Sequence, residues 1–361
     1  MNSQPATLND IIAAIRPADT TWLEKAKART QRLVMPTRAL GRLHEITEKL
    51  CAIRSSLTPE TGRKAVLIFA GDHGVVAEGV SAYPQEVTGA MIATFLSGGA
   101  AINAFCRHVN AEVNVVDMGI VAQLDLATLP KGGKGLWIHK LGAGTANFTK
   151  GPAMSRADAA KAVTIGFQLA GTLFDSGIDM LGTGDMGIGN TTASAAVGVA
   201  LTGTGIADMV GRGTGVDDQG LGRKQEAVAR ALGVNRPDPH DALDVLAKVG
   251  GFEIGGIAGA VLAGAFYRRP VVIDGFISTA GALIAQGLCP HVTDYLFAGH
   301  CSEEKGHGAM LERLNLLPIL DLGMRLGEGS GGALAMDIIA AAARMFTEMA
   351  TFEEARVPDK G

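Results

Sequence analysis

Aromatic residues are scarce. Phe, Trp and Tyr supply only 5% of the 361 residues against 47% hydrophobic overall, so any core must be built from Ala, Val, Ile, Leu and Met. Cysteine is nearly absent: four stand at 51, 106, 289 and 301, and none forms a CxxC pair or a zinc-like cluster with His. That argues against a disulfide framework and fits reduced thiols in a cytoplasmic protein. No block of Lys or Arg occurs and the net charge is −4, so the electrostatic footprint of a nucleic-acid binder is missing. The opening MNSQPATLND has no basic stretch followed by an apolar run, so no signal peptide is expected. Residues 186–207 and 275–293 lack Asp, Glu, Lys and Arg, but glycines interrupt both. Buried helices of a large core are expected there rather than membrane spans.

What the chain does contain is glycine, 49 residues of it, scattered singly and in short clusters through apolar sequence. Four segments repeat one format: AVLIFA (65–70) running into GDHG, EVNVVDMG (112–119), IDMLGTGD (178–185) and PVVIDGF (270–276). Each is a short apolar run that ends in a Gly/Asp turn and precedes a longer helical pattern. This alternation predicts an α/β fold with a parallel sheet and crossover helices. Ligands of such folds bind at the carboxyl ends of the strands, so the four turns should gather at one rim. The first sixty residues instead read as helices, over 8–15, 19–34 and 41–54, and 329–350 is a long Ala/Met-rich helical pattern. The expected organisation is a small helical domain from both termini (1–60 with 337–361) and a large α/β catalytic domain (61–336).

Five segments could carry chemistry. GTGDMGIGNTTASAA (182–196) follows a strand and opens a small-residue helix. Its free amides would cradle a phosphate, or it is only a glycine turn with Asn190 or Thr191 as N-cap. Gly182, Gly184 and Gly187 also match GxGxxG, with Asp208 downstream, which offers a dinucleotide-binding oxidoreductase as a rival. In MRLGEGSGGALAMDI (324–338), Glu328 stands between two glycines, as a general base or as a carboxylate that favours a helix start. Lys224, in GLGRKQEAV, could contact phosphate or be a helix-surface lysine. Asp72 and His73 could do acid/base work or merely hold a strand-end turn, and Tyr83-Pro84 begins the next helix. In HCSEEKGH (300–307), Ser302 could cap a helix or face ribose hydroxyls; the spacing of His300, Cys301 and His307 fits no standard zinc set, and no metal is expected. From the residues alone, this is an α/β protein that binds a phosphate-bearing ligand at a Gly/Asp-rich rim.

Taken together, GDHGV, YPQEVT, GPAMSR, GDMGIGNTT, DVLAKVGGF, DGF, SEEKG and RLGEGSGGALAM, in this order between residues 71 and 336, resemble the nicotinate-nucleotide:dimethylbenzimidazole phosphoribosyltransferases. The resemblance implies a Rossmann-like large domain, a small helical domain and a homodimer. It implies transfer of phosphoribose from nicotinate mononucleotide to 5,6-dimethylbenzimidazole, in cobamide lower-ligand assembly, without a cofactor. Glu328 falls on the family's general base, with Asp185 as a second carboxylate where other members carry Glu. Gly187, Gly189, Asn190, Thr191 and Lys224 fall on its phosphate-binding residues, and Asp274 and Ser302 at the same rim. Tyr83 and Met91, which replace a Ser and a Gln of other members, are expected with Met186 to form a larger apolar wall for the base. The acceptor range is therefore expected to reach other benzimidazoles or phenolic compounds.

Overall fold

The computed structural model describes residues 7–133 and 135–358. Its centre is a seven-stranded sheet of β1 (Lys64–Gly71), β2 (Ala111–Gly119), β3 (Leu136–Ile138), β4 (Met180–Met186), β5 (Val271–Ile273), β6 (Leu296–Ser302) and β7 (Pro318–Met324). All pairings are parallel, in the order β3-β2-β1-β4-β5-β6-β7. Every residue of β1 is buried, which is why it reads as an unbroken apolar run. The order reverses between β1 and β4, so the crevice beyond their carboxyl ends is where this topology places a ligand.

The four expected strands are present, and β3, β6 and β7 join them. Their signals were weak for physical reasons. β3 has three residues, β6 carries His300 and Ser302 within its apolar run, and β7 is an edge strand with half of its length facing solvent. The charge-free stretches contain the helices Asn190–Thr202 and Phe276–Leu288, both largely buried. One apolar stretch, Glu86–Val109, reaches a mean hydropathy of 1.4, but it is two helices: Gly98, at φ +86°, ends Glu86–Ser97, and the second begins at Ala101.

The crossover helices Arg156–Asp175 and Phe252–Tyr267 approach each other at glycine. A Cβ on Gly166 would stand 1.9 Å from the Gly256 carbonyl oxygen, and one on Gly259 equally close to that of Val163. Backbone contact replaces the bulk that aromatics would otherwise supply.

Near the N-terminus the helices are Leu8–Ala14, Thr20–Arg32 and Arg42–Arg54, the second capped by the Asp19 carboxylate on the Thr21 amide. Ile11 joins the main core, whereas Ala26, Leu33 and Cys51 form a satellite cluster with Phe346. Phe346 belongs to the helix Ser330–Glu348, which starts on the sheet, where Ala333 and Met336 pack into the main core, and runs unbroken into the satellite.

Candidate active site

Two loops meet beyond the β1/β4 crevice. The first is 187–189, at the end of β4. A Cβ on Gly187 would lie 2.1 Å from the Gly71 carbonyl oxygen at the end of β1, so this loop rests directly on the neighbouring strand and only glycine fits. Gly189, at φ +95°, then opens the helix Asn190–Thr202. Among the described residues no acceptor takes the Gly189 or Thr191 amide. With Ser81, Arg212, Thr214 and Lys224, the loop lines a small cleft. Lys224 is 1% exposed, donates to Thr191 Oγ1 at 2.9 Å, and has no carboxylate in ion-pair contact among the described residues. Burial pushes its amine down to about 8, against the pull of Glu304. A buried ammonium beside a helix N-terminus with free amides is a site built for an anion. Asn190, expected as a ligand donor, also lines this cleft, and its Nδ2 donates to Asp185 Oδ2 at 2.9 Å.

The second loop follows β7 and carries Glu328. Gly327, Glu328 and Gly329 have φ of +85°, +63° and +93°. A glutamate in the left-handed region is strained, and here its surroundings hold it there. On one side is β4: a Cβ on Gly184 would lie 2.3 Å from the Glu328 carbonyl oxygen. On the other is Asp274, after β5, whose Oδ2 accepts from the Gly329 amide at 3.1 Å and whose Oδ1 accepts from Gly331 and Gly332 at 2.7 and 2.9 Å. Asp274 thus caps the helix Ser330–Glu348 and fixes the turn that presents Glu328. It is fully buried, so it shapes the site from behind rather than facing a ribose or phosphate, the contact expected of it.

Glu328 is 7% exposed, and its Oε2 accepts from the Ile102 amide at 3.2 Å. That amide is in the first turn of Ala101–Val109, whose N-cap, Ala100, has no side-chain acceptor to offer. Oε1 has no partner among the described residues. Burial raises the carboxyl above its ordinary value; the Ile102 amide opposes the rise and the Asp274 charge adds to it. Asp185 lies against the same loop, its two oxygens each 3.3 Å from where a Gly327 Cβ would stand. Burial first, then the Asp274 charge, holds the Asp185 carboxyl well above the usual range, while the Asn190 hydrogen bond pulls it down. The result is an anion cradle on one loop and, on the next, a carboxylate with one anchored and one free oxygen. Gly184→Ala should push the Glu328 loop out of place and lower turnover by about 100-fold, since a shift of about 1 Å can cost that much. A turnover assay on folded variant checks this.

The other expected residues fall into place unevenly. Ser302 Oγ accepts from the Glu304 amide at 3.3 Å, and its own amide donates to His307 Nδ1 at 2.9 Å. His307 Nε2 therefore carries the proton, facing Thr279 Oγ1 at 2.9 Å, and burial pushes this ring down to about 3. The segment 300–307 runs from the end of β6 through a hydrogen-bonded turn to the start of the helix His307–Leu314, and among the described residues no three His, Cys, Asp or Glu side chains are grouped to hold a metal ion. His73 pairs with Glu253 at 2.7 Å, both fully buried. Met186 ends β4 and Met91 is half-buried on Glu86–Ser97, but Tyr83 is 50% exposed in a turn with Ser81.

The glycines of the GxGxxG match need no dinucleotide. Gly182 and Gly184 lie inside β4, where Met336 and the Glu328 backbone leave no room for a side chain, and Asp208 is an exposed partner of Lys305. Sequence reasoning passed over the Ile102 amide, Thr88 and Arg212, and read Gly184 as part of a nucleotide fingerprint. Only the first left a signal, a helix start without a capping side chain.

Known proteins are similar to this chain over nearly its whole length. A phosphoribosyltransferase family profile matches residues 15–357. The nicotinate-nucleotide–dimethylbenzimidazole phosphoribosyltransferase of Geotalea uraniireducens is 52% identical over 352 residues, 98% of each chain. That of a Roseiflexus species is 53% identical over 353 residues, again 98% of each. The crystal structure of CobT from Thermus thermophilus superposes with a TM-score of 0.89 at 48% identity, covering 94% of this chain and all of that one. The chain belongs to the nicotinate-nucleotide–dimethylbenzimidazole phosphoribosyltransferase family.

Proposed function

We propose that this chain moves the 5-phosphoribosyl group of nicotinate mononucleotide onto 5,6-dimethylbenzimidazole or a related base, giving an α-riboside 5′-phosphate and nicotinate for cobamide lower-ligand assembly. The observation that carries the reading is Glu328, a buried carboxylate held in a left-handed conformation with one oxygen free, beside an anion cradle. The donor phosphate binds the amides of Gly189 and Thr191 and the Lys224 ammonium. A benzimidazole is a poor nucleophile while it keeps its N–H. The free oxygen of Glu328 takes that proton as the other ring nitrogen forms a bond to ribose C1. The C1–pyridinium bond breaks with its electron pair going to the ring nitrogen, and nicotinate leaves as a pyridine carboxylate. Attack on the face opposite the leaving group turns the β donor into an α product. Asp185, whose carboxyl burial and the Asp274 charge hold well above the usual range, stands as the second carboxyl group beside the Glu328 loop. Met91 and Met186 make the base wall apolar, and Tyr83 stands at its open side; this favours an acceptor range wider than one benzimidazole.

The chain acts as a homodimer in the cytoplasm. The open β7 edge supports self-association, because Leu317, Leu322 and Leu326 along it are more than half exposed and an apolar edge strand of this kind is usually covered. The helices of the two termini, around Leu33, Cys51 and Phe346, form the smaller domain.

The pH dependence of turnover tests the reading. Glu328 must be ionised to accept the proton, and its value is raised, so kcat/KM should fall on acidification at a pH above the ordinary carboxylate range. Lys224 must be protonated to hold phosphate, and its value is lowered, so kcat/KM should fall again as pH rises through about 8. A profile flat across both ranges would remove Glu328 and Lys224 from the reaction.

A further inference from the structure

We propose that Thr88 is a positioning residue that locks the acceptor-base helix to the donor-phosphate loop and so keeps the base nitrogen in register with ribose C1; the inference rests on the phosphoribosyl-transfer reading. Thr88 lies on Glu86–Ser97 and is fully buried. A hydroxyl has one proton to give and lone pairs to receive. The proton goes to Asp72 Oδ1 at 2.6 Å, just past the end of β1, and a lone pair takes the Ile188 amide at 3.2 Å. The other Asp72 oxygen accepts from the Val121 amide at 2.8 Å, beyond β2. One side chain thus joins the ends of two strands, the helix and the loop between Gly187 and Gly189.

The helix bears on the base through the same face. Gln85, one turn before Thr88, donates to the His73 carbonyl at 3.4 Å, and Met91, one turn after it, is the half-buried residue assigned to the base wall. Two of the three positions on this stripe are therefore tied to the carboxyl end of β1, Thr88 also to the phosphate loop, and the third is the one assigned to the acceptor. Neither Thr88 nor Asp72 lines the phosphate cleft, so the joint adds no affinity of its own; it sets the relative placement of two bound molecules. Placement of that kind acts on the chemical step, where a small displacement of the reacting atoms is costly. Valine copies the shape of threonine but can neither donate nor accept, and would leave the Ile188 amide and an Asp72 oxygen buried without partners.

Thr88→Ser, Thr88→Ala and Thr88→Val in the full chain test this, with kcat and both KM values measured at neutral pH and normalised to the folded fraction from a urea titration. Serine keeps the hydroxyl and should retain kcat within about threefold, whereas valine and alanine should lose about 10- to 100-fold in kcat with little change in KM for nicotinate mononucleotide. Wild-type kcat in the hydroxyl-free variants overturns the proposal. So does a serine variant as slow as they are, because packing of the methyl would then be the cause. Failure of both hydroxyl-free variants to fold makes Thr88 a purely structural residue and also overturns it. A wild-type chain that transfers phosphoribose to no base overturns the reading beneath it, an outcome separate from any difference among the variants.

Discussion

Glu328→Gln is expected to lower kcat by about 10²- to 10⁴-fold, the usual contribution of a general base, while KM for nicotinate mononucleotide stays near its wild-type value. Glutamine is nearly isosteric and keeps an oxygen for the Ile102 amide, so the loop between Gly327 and Gly329 is held as before. Only the ability to take a proton is lost. The carboxylate is suited to that task because burial and Asp274 raise its affinity for a proton, while the Ile102 amide keeps the rise in bounds. Steady-state nicotinate release from purified wild-type and variant chains checks it. A variant within about threefold of wild type would reduce Glu328 to a positioning role, with the base losing its proton to solvent.

Lys224→Met is expected to act on the other substrate term. A charge-assisted contact to phosphate contributes about 1.5–3 kcal/mol, so kcat/KM for nicotinate mononucleotide should fall by about 10- to 100-fold. Most of that loss should appear in KM. Methionine fills the space of the lysine stem, so the loss of the charge rather than of packing is what the variant reads. The alkaline limb near 8 should vanish with the amine. Loss of stability together with unaltered KM would show that Lys224 supports the Asn190–Thr202 helix rather than the donor.

The sequence made the frame legible where one physical requirement dominated. The buried run of β1 and the Gly/Asp turns after β1, β2, β4 and β5 announced a parallel sheet with a polar rim, because fully buried parallel strands need continuous apolar residues. Lys224 and the 187–191 loop line one cleft in the structure, although they are separated along the chain by a whole helix. Other features were hidden because their cause is non-local. The glycines 182 and 184 imitate a nucleotide fingerprint, and only the packing of Met336 and the Glu328 loop reveals what they are for. The family resemblance put Asp274 among the ligand contacts, but the bare helix start at Ser330 claims both of its oxygens. Ile102 contributes a backbone amide, which no side-chain pattern can advertise. Thr88 reads as an ordinary helix threonine until Asp72 and Ile188, 16 residues before it and 100 after it, arrive at its hydroxyl.

The most direct test of the central claim is to mix the purified chain with nicotinate mononucleotide and each of a panel of benzimidazoles and phenolic compounds, then follow nicotinate release and ribosylated product by chromatography. The account predicts that release requires an acceptor, that product and nicotinate form in equal amounts with an α linkage, and that more than one acceptor is used. Nicotinate release that proceeds equally without acceptor, or folded protein that makes no product with any of them, would contradict it.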